Sequence, residues 1–279
     1  MQTVAIVGVG LIGGSFGLAL RKAGFDGELL GVSSEMAIAD ALRRGAIDCG
    51  LPLAEAARRA DLIYLSQPIG RVMDTLRRVD VLAREGTLIT DAGSTKSAIV
   101  TLARKVIVRC QFLGGHPMAG KEKRGASEAD ADLFIGRTYV LTPSREEDLR
   151  TPRAAEFIQW IERIGATPVV MGPDQHDEVV SFTSHLPQLA STALAATIAE
   201  NLETPGQLEV SGSGLRDMTR LAKSSYEIWR DILATNTDSI DRALAAYIAK
   251  LEHMRENLRT RQMQEQFDAG AGLAARLRR

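Results

Sequence analysis

Three glycines near the start of the chain have the spacing of a turn that binds a dinucleotide. They follow a β-branched run, Val4–Gly8, and precede a segment with helical periodicity, Leu11–Ala23. In such a turn the first glycine allows the tight bend, the second leaves room for the pyrophosphate, and the third lets the helix pack close to the sheet. The helix N-terminus then offers free N–H groups to the phosphates. The candidate cofactor residues in this turn are Gly8, Gly10, Leu11, Ile12 and Gly13.

Polar residues follow three later strand-like segments and are candidates for the reacting end of a site. In a doubly wound sheet, ligands bind at the carboxyl ends of the strands. Asp91 and Ser94 follow one such segment, and His116 follows another. A histidine with a pKa of about 6.5 can accept a proton from a hydroxyl group. A structural histidine and a helix-capping serine are the simpler alternatives. The cofactor candidates at these strand ends are Ser66, Gln67, Pro68 and Asp91.

The end of the second strand bears on the type of cofactor. Chains that bind NAD usually have an acidic residue about 20 positions beyond the glycine turn, where it binds the ribose 2′-hydroxyl and repels a 2′-phosphate. This chain has Ser33 and Ser34 there, with Glu35 next and no adjacent arginine. The sequence therefore favours NADP as the cofactor, with NAD as the alternative.

The second half of the chain adds charged and polar candidates. They are Ser184, His185 and Gln188 in one segment and Arg216, Asp217 and Arg220 in another. Pro187 interrupts a helical pattern. A proline inside a helix kinks it and frees backbone groups, which is energetically expensive unless a functional site uses the kink. In the alternative interpretation these residues have no function. His185 would then be a core histidine bonded to a carbonyl group, and Arg216 and Arg220 would be exposed or paired with aspartate.

The elements that must position these residues change character along the chain. Strand-like and helix-like segments alternate over roughly the first 170 residues, which predicts an α/β domain of the Rossmann type with a doubly wound parallel sheet. From Asp174 onward strand signals almost vanish, and Ala/Leu-rich segments with helical spacing take over. We therefore predict a Rossmann domain over 1–172 and an all-helical domain over 173–279. The predicted strands are Val4–Gly8, Leu29–Ser33, Leu62–Ser66, Thr87–Asp91, Phe112–Gly115, Thr138–Leu141 and Pro168–Met171.

The last long helical segment carries one apolar stripe. Residues at steps of three or four lie on one face of a helix, and the stripe here consists of Ile240, Leu244, Ile248, Leu251, Met254 and Leu258. An intramolecular core contact and a dimer seam explain this stripe equally well. The tail after Phe267, Ala/Gly-rich and then Arg-rich, is predicted to fray.

Composition narrows the classes of function. The 279 residues carry a formal net charge of −1, so no basic excess indicates a nucleic-acid partner. The apolar segments are shorter than a membrane span, and the first lacks the basic start of a signal peptide. Cys49 and Cys110 stand apart from any Cys/His cluster, so buried thiols are expected rather than a disulfide or a metal site. We expect a cytoplasmic protein that binds no metal.

Together, these motifs resemble those of the prephenate/arogenate dehydrogenase family of tyrosine biosynthesis. The resemblance extends over roughly residues 1 to 260, in the family's order, and its most specific elements are HPMAG from His116 and RDxTR from Arg216. It implies a Rossmann domain that binds NAD(P), a helical domain that forms a homodimer, and a small-molecule substrate between them. The other matching motifs are GxGxxGGS, DxGSxK and SHLPQ, followed by the segment Ile228–Ile232, which contains Trp229, and by Asn236.

The chemistry of such a substrate suits particular residues of this chain. Oxidation at C4 of the cyclohexadienol ring needs a base, and we assign His116 to accept or polarise the hydroxyl proton, with Ser94 completing the hydrogen bond. Recognition of a dianion needs cations, and Arg220 is suited to a bidentate grip on a carboxylate. Arg216 is the next candidate for that grip.

The resemblance implies roles for the remaining candidates. Glu122 and Asp217 resemble an entrance or orienting pair around the arginine, and Ser184 and His185 match positions near the substrate. Gln188 departs from the pattern, because some prephenate-specific members have histidine there. The choice between prephenate and arogenate therefore stays open.

Two other functions compete with this interpretation. A β-hydroxyacid dehydrogenase has a similar two-domain build but commonly uses a lysine of the helical domain as acid and base, where this chain has the HPMAG and RDxTR motifs. A non-catalytic regulator that senses NADP would keep the fold. Such a regulator would not need His116, Ser94 and Arg220 together.

Overall fold

Eight strands form one sheet in the first part of the chain. The computed structural model describes residues 1–202, 204–260 and 262–277. The strands are β1 (Thr3–Val7), β2 (Glu28–Val32), β3 (Cys49–Gly50), β4 (Leu62–Leu65), β5 (Leu88–Asp91), β6 (Gln111–Pro117), β7 (Thr138–Thr142) and β8 (Thr167–Val170). Their order is β3-β2-β1-β4-β5-β6-β7-β8, so the strand order reverses between β1 and β4. In such a sheet the crevice at this reversal is where ligands bind.

The predicted strands are confirmed with their ends shifted by at most two residues, and the sheet is mostly parallel as predicted. Only β3 was missed, because two residues are too few to leave a periodic signal. One pair departs from the expected parallel arrangement, since β6 and β7 are antiparallel. A parallel connection needs a crossover, usually a helix. Residues 118–137 contain only the short 3₁₀ turn Ala126–Glu128, and the chain turns back instead.

Helices cover both faces of the sheet. They are α1 (Leu11–Lys22), α2 (Glu35–Arg43), α3 (Leu53–Arg59), α4 (Ile69–Leu82), α5 (Ser97–Val106) and α6 (Pro152–Arg163). On one face Phe16 of α1 stacks on Tyr64 of β4 with ring centroids 4.0 Å apart. On the other face Val72 and Leu76 of α4 pack with Ile99 of α5 in a second apolar layer. These two layers fix the strand ends that carry the candidate site.

The second part of the chain is helical, as predicted. Its elements are α7 (Pro173–Val180), a π-helical turn (Ser181–His185), α8 (Leu186–Asn201), α9 (Ser213–Thr219), α10 (Tyr226–Thr235), α11 (Thr237–Glu256) and α12 (Gln264–Leu277). Ile232 and Ile240 pack into the apolar layer formed by α4 and α5. This contact joins the helical part to the sheet.

The apolar stripe divides into a buried and an exposed part. Ile240 is 4% exposed, whereas Ile248 and Leu251 are 52% and 46% exposed. Leu258 is also exposed and lies beyond the end of α11. The prediction that the tail frays after Phe267 is wrong, because α12 continues to Leu277. Its alanines have the highest helix propensity of any residue, and this outweighs the two glycines.

The structure also bears on the expectations for membrane spans and thiols. Within the described ranges no helix is long and apolar enough to cross a bilayer. Cys49 and Cys110 are free, but each is only partly buried. Burial raises the pKa of the Cys110 thiol to about 12, with the Asp80 carboxylate adding to the effect. The thiolate is therefore a minor form of Cys110 at neutral pH.

Candidate active site

The glycine turn opens into a cavity of about 490 Å³ at the carboxyl ends of β1, β2 and β4. Gly8 has a φ of 96°, which side chains rarely allow, and a Cβ there would lie 2.8 Å from the backbone of Gln67. A Cβ on Gly10 would meet nothing within 4 Å, so this position faces open space. The cofactor candidates that line the cavity are Gly8, Gly10, Ser33, Ser34, Ser66, Gln67 and Pro68.

Three further cofactor candidates shape the turn from behind. A Cβ on Gly13 would lie 2.4 Å from the carbonyl oxygen of Gly8, so glycine is needed for α1 to pack against the turn. Leu11 and Ile12 pack against the apolar core on that face of the sheet. These residues fix where the N-terminus of α1 points, but their side chains do not line the cavity.

Asp91 forms a buried ion pair beneath the loop that follows β5. Lys96 donates through Nζ to the Asp91 carboxylate and, at 2.8 Å, to the carbonyl oxygen of Gly115, and both charged side chains are fully buried. Asp91 also accepts from the backbone N–H of Gly93 at 2.8 Å. Asp91 therefore lies outside the cofactor cavity and instead holds in place the loop that carries Ser94.

A second cavity, of about 460 Å³, separates the carboxyl end of β6 from the helical part. His116 lies near the end of β6 and is 8% exposed. Ser94, Ser184 and His185 line the same cavity. The structure thus brings the two predicted catalytic residues together with two predicted substrate residues from the other half of the chain.

His116 is the first member of a hydrogen-bonded chain that runs into the helical part. Its Nδ1 lies 2.8 Å from Nε2 of His176, and Nδ1 of His176 lies 2.7 Å from Oδ1 of Asp177. The Asp177 carboxylate also accepts from the backbone N–H groups of Lys96 at 2.7 Å and Ser97 at 2.9 Å. Burial alone would raise the pKa of Asp177, but the hydrogen bonds from His176 and these N–H groups outweigh it and lower that pKa.

The ionised Asp177 determines the tautomers of both imidazoles. A carboxylate only accepts hydrogen bonds, so His176 carries its proton on Nδ1 and accepts on Nε2. His116 must then donate from Nδ1, which leaves its Nε2 unprotonated. Within the described ranges Ser94 is not hydrogen-bonded to His116, whose Nδ1 is occupied by His176.

The surroundings of His116 keep it neutral. Its pKa lies well below the usual value of 6.5, mainly because burial penalises the charged form. The neighbouring His176, Lys96 and His185 lower that pKa further, since positive charge on them opposes protonation. At neutral pH the ring is in the form that can accept a proton.

His185 lies at the end of the π-helical turn between α7 and α8. Pro187 sits in the first turn of α8, where its missing N–H is tolerated, so the interruption predicted from the sequence takes the form of the π turn before it. His185 is 1% exposed, and its Nδ1 lies 3.3 Å from Nδ2 of Asn236. Its ring packs edge-on against Trp229 with centroids 5.8 Å apart. Burial lowers the pKa of His185 to about 4.

This lowered pKa is expected to make stability depend on pH. The unfolded chain protonates His185 near pH 6.5, whereas the folded chain does so only near pH 4. The free energy of unfolding therefore falls as the pH drops through that range, and we expect His185 to account for about 1.5 kcal/mol of the loss between pH 6.5 and 5. Denaturant unfolding at both pH values measures it. His185→Gln should show a smaller drop, and an equal drop in both proteins would contradict the assignment.

A third cavity, of about 500 Å³, is continuous with the second. Gly120, Ser224 and Ile228 line both, so the two cavities form one cleft that leads away from His116. Cations outnumber acids on its walls, and the charged residues that line it are Lys121, Glu122, Arg124, Arg220 and Lys223. Such a surface suits an anionic ligand.

Arg220, Glu122 and Gln188 are the predicted substrate residues in this third cavity. Arg220 Nη1 lies 3.4 Å from Oε1 of Glu122, and both side chains are more than half exposed. Gln188 is 6% exposed and donates from Nε2 to a backbone carbonyl oxygen at 2.8 Å. Arg216 and Asp217 are exposed on α9 and line neither cavity of the cleft.

Several residues that shape this site were not among the candidates predicted from the sequence. His176 and Asp177 complete the hydrogen-bonded chain. The sequence signal that could have indicated them is the adjacent His-Asp pair at the start of the helical part. Arg137 and Trp229 line the cavity that contains His116. Trp229 belongs to a matched motif, but nothing in the local sequence of Arg137 marks it.

The glycine turn, the reversal of strand order and a neutral imidazole at the carboxyl edge of the sheet define a class of protein: a Rossmann-type dehydrogenase with a helical second domain. Two family models match nearly the whole chain. Residues 16–170 match the nucleotide-binding domain of prephenate dehydrogenase, and residues 172–270 match its dimerization domain. The chain belongs to the prephenate dehydrogenase family, which confirms the resemblance of its motifs.

Individual relatives agree with this assignment. Prephenate dehydrogenase of Lactococcus lactis is 36% identical over 242 residues, which are 85% of this chain and 66% of that protein, so this chain spans about two thirds of its relative. The structure of Aquifex aeolicus prephenate dehydrogenase with hydroxyphenyl propionate and NAD+ is 32% identical, with a TM-score of 0.88 over 100% of this chain and 97% of that one. Synechocystis arogenate dehydrogenase is 28% identical, with a TM-score of 0.79 over 98% of both chains.

Proposed function

We propose that this chain catalyses the oxidative decarboxylation of prephenate or arogenate in tyrosine biosynthesis, with a nicotinamide dinucleotide as the oxidant. One observation carries the proposal: the chain from Asp177 through His176 leaves Nε2 of His116 unprotonated. This base lines a cavity that is continuous with a cleft rich in cations, and a separate cavity at the carboxyl ends of β1, β2 and β4 is suited to a dinucleotide. An anionic cyclohexadienol that faces a nicotinamide needs its base in that place.

The first cavity fits the dinucleotide. The open space beside Gly10 leaves room for a pyrophosphate close to the backbone, and the N-terminus of α1 supplies N–H groups. When bound, the nicotinamide supplies the hydride acceptor. We assign binding to the seven cofactor candidates that line the cavity, with Leu11, Ile12, Gly13 and Asp91 supporting the turn and the neighbouring loop.

His116 supplies the base. The hydroxyl group at C4 of the substrate gives its proton to Nε2 of His116 as C4 becomes a carbonyl carbon. The proton on Nδ1 can pass to Nε2 of His176, which brings the positive charge next to the Asp177 carboxylate. We assign Ser94, in the same cavity, to hydrogen-bond the substrate hydroxyl and orient it toward His116.

Loss of CO2 requires little more than orientation from the protein. Once C4 is a carbonyl carbon, the ring carboxylate is conjugated with it and leaves, and aromatisation makes the step effectively irreversible. We assign Arg220 to a substrate carboxylate, with Arg216 as the next candidate. The other proposed substrate residues are Glu122, Ser184, His185, Gln188 and Asp217.

A crossed assay tests this function. Purified protein is given prephenate or arogenate with NAD or NADP, and the absorbance of the reduced nicotinamide is followed. We expect turnover with at least one of the two substrates. Turnover of a β-hydroxyacid and of neither cyclohexadienol would favour the first alternative, and dinucleotide binding without any turnover would favour a regulator that only senses the nucleotide.

Removal of the Arg220 guanidinium is expected to weaken substrate binding. Loss of a charged partner from a carboxylate costs roughly 2–5 kcal/mol at a desolvated site. The Arg220 side chain is 60% exposed, so the lower end applies, and KM for the substrate should rise about 30-fold in Arg220→Ala and less in Arg220→Lys. KM for the dinucleotide should stay constant. An unchanged substrate KM in Arg220→Ala, with a raised one in Arg216→Ala, would move the anion site to Arg216.

We further propose that NADP is the preferred cofactor, with NAD as the alternative. Ser33 and Ser34 line the dinucleotide cavity where a chain specific for NAD has a carboxylate. Ser33→Asp should shift the ratio of kcat/KM values toward NAD by tenfold or more, about 1.4 kcal/mol of differential binding. Steady-state kinetics with both cofactors measures the ratio. A wild type that strongly prefers NAD, with a ratio indifferent to this substitution, would show that Ser33 does not contact the 2′ position.

The helical part supports a proposal about assembly. We propose a homodimer through this domain, because large apolar side chains of its last two helices are exposed, as at association surfaces: they are Ile248, Leu251, Phe267, Leu273 and Leu277. We also propose that the domains divide at 172/173, between the end of β8 at Val170 and the start of α7 at Pro173. The proposed location is the cytoplasm.

A further inference from the structure

The cavity assigned to the dinucleotide has one charged side chain among its described lining residues, Arg71. Arg71 lies in the first turn of α4, is exposed, and forms no ion pair within the described ranges. Its guanidinium is therefore available to a ligand. An unpaired arginine on the wall of a cavity is a strong donor to phosphate oxygens, which it can bind with two parallel N–H groups.

Hydroxyl groups line the same cavity. Ser33 follows the last residue of β2, and Ser34 caps α2 by accepting a hydrogen bond from the backbone N–H of Ala37 at 3.4 Å. Glu35, the acidic residue nearest to them, is exposed on α2 and does not line the cavity. The end of β2 thus offers hydroxyl groups without a carboxylate, and the first turn of α4 offers a cation.

This combination is complementary to a phosphate group on the adenosine ribose and not to free ribose hydroxyl groups. A carboxylate is the usual partner of the 2′- and 3′-hydroxyls, and it is missing here. We propose that Arg71 binds the 2′-phosphate of NADP and is the residue that sets the preference for NADP over NAD. This inference rests on the proposed dinucleotide-binding function of the cavity and adds the group that the local sequence around Ser33 lacks.

Calorimetric titration with fragments of the cofactor tests this role without turnover. Adenosine 2′,5′-bisphosphate and 5′-AMP differ only in the 2′-phosphate, so the ratio of their dissociation constants reports on that group. We expect the wild type to bind the bisphosphate at least tenfold more tightly. Arg71→Ala should abolish this difference and leave the affinity for 5′-AMP unchanged, and Arg71→Lys should retain part of it.

Arg78→Ala is the matched control. Arg78 is exposed on the same helix, two turns beyond Arg71 and outside the cavity, so it reports any general loss of positive charge. We expect Arg78→Ala to show the same ratio of dissociation constants for the two fragments as the wild type. If the ratio of dissociation constants fell equally in Arg71→Ala and Arg78→Ala, the preference for the bisphosphate would arise from long-range electrostatics. That result would overturn a direct contact between Arg71 and the 2′-phosphate.

Other outcomes overturn the inference in distinguishable ways. If Arg71→Ala weakens both fragments equally, the arginine contacts the adenosine or its 5′-phosphate. If the ratio survives in Arg71→Ala, the 2′-phosphate is bound elsewhere. If the wild type binds neither fragment nor an intact dinucleotide, the proposed function of the cavity itself fails, and Arg71 with it.

Discussion

Replacement of His116 by asparagine is expected to lower kcat by about 10²–10⁴-fold, the usual contribution of a positioned base. Asparagine can still donate a hydrogen bond toward His176, but it cannot take up a proton at neutral pH. Because the pKa of His116 lies well below 6.5, the wild type should keep its kcat/KM down to and below pH 6.5. Steady-state kinetics over a pH series measures both quantities.

Two readouts separate this loss from misfolding. The variant should bind the dinucleotide with unchanged affinity, since His116 lies outside the cavity of the glycine turn, and its thermal midpoint should stay close to that of the wild type, because asparagine keeps a donor toward His176. A variant that turns over at the wild-type rate would contradict the assignment of His116 as the base.

Replacement of His176 by phenylalanine is expected to cost roughly 10²-fold in kcat. Phenylalanine removes the acceptor that fixes the proton of His116 on Nδ1, so both tautomers become populated and the relay of charge toward Asp177 is lost. Loss of the partner that sets the tautomer of a catalytic histidine costs up to about 10⁴-fold in a serine protease. His176→Gln should recover part of the rate, because its amide oxygen can accept from Nδ1.

The comparison of these two variants distinguishes a positioning role from a structural one. Substrate KM should change little in either, and kcat should fall in the order wild type, His176→Gln, His176→Phe. His253→Gln is the matched control, since His253 is exposed on α11 and lies far along the chain from the site. Equal kcat values for His176→Phe and the wild type would show that His116 needs no orienting partner.

Sequence was most informative where the physical constraint is local. The glycine turn could be predicted because a positive φ at Gly8 and the close approach of α1 at Gly13 both act within a few residues. The strands could be predicted because buried parallel strands are short apolar runs. The antiparallel pairing of β6 and β7 could not, because it follows from the absence of a crossover helix in a segment whose polar composition allows several paths.

The hydrogen-bonded chain of the site was beyond local sequence reasoning. His116 and His176 are 60 positions apart and meet only when β6 packs beside α7. Local sequence reasoning paired Ser94 with His116 as catalytic candidates because both lie at the ends of strands. It missed the stronger constraint, which is a buried imidazole with an ionised carboxylate behind it. Arg71 was missed for the same reason, since it reaches the end of β2 only through the fold.

The most direct test of the account measures CO2 and reduced nicotinamide in the same reaction. With whichever of prephenate and arogenate the protein accepts, we predict equal amounts of the two products throughout the time course, and the parallel loss of both in His116→Asn. This ratio follows because oxidation at C4 commits the ring to decarboxylation. Reduced nicotinamide formed without CO2 would contradict the proposed reaction and identify a simple alcohol dehydrogenase.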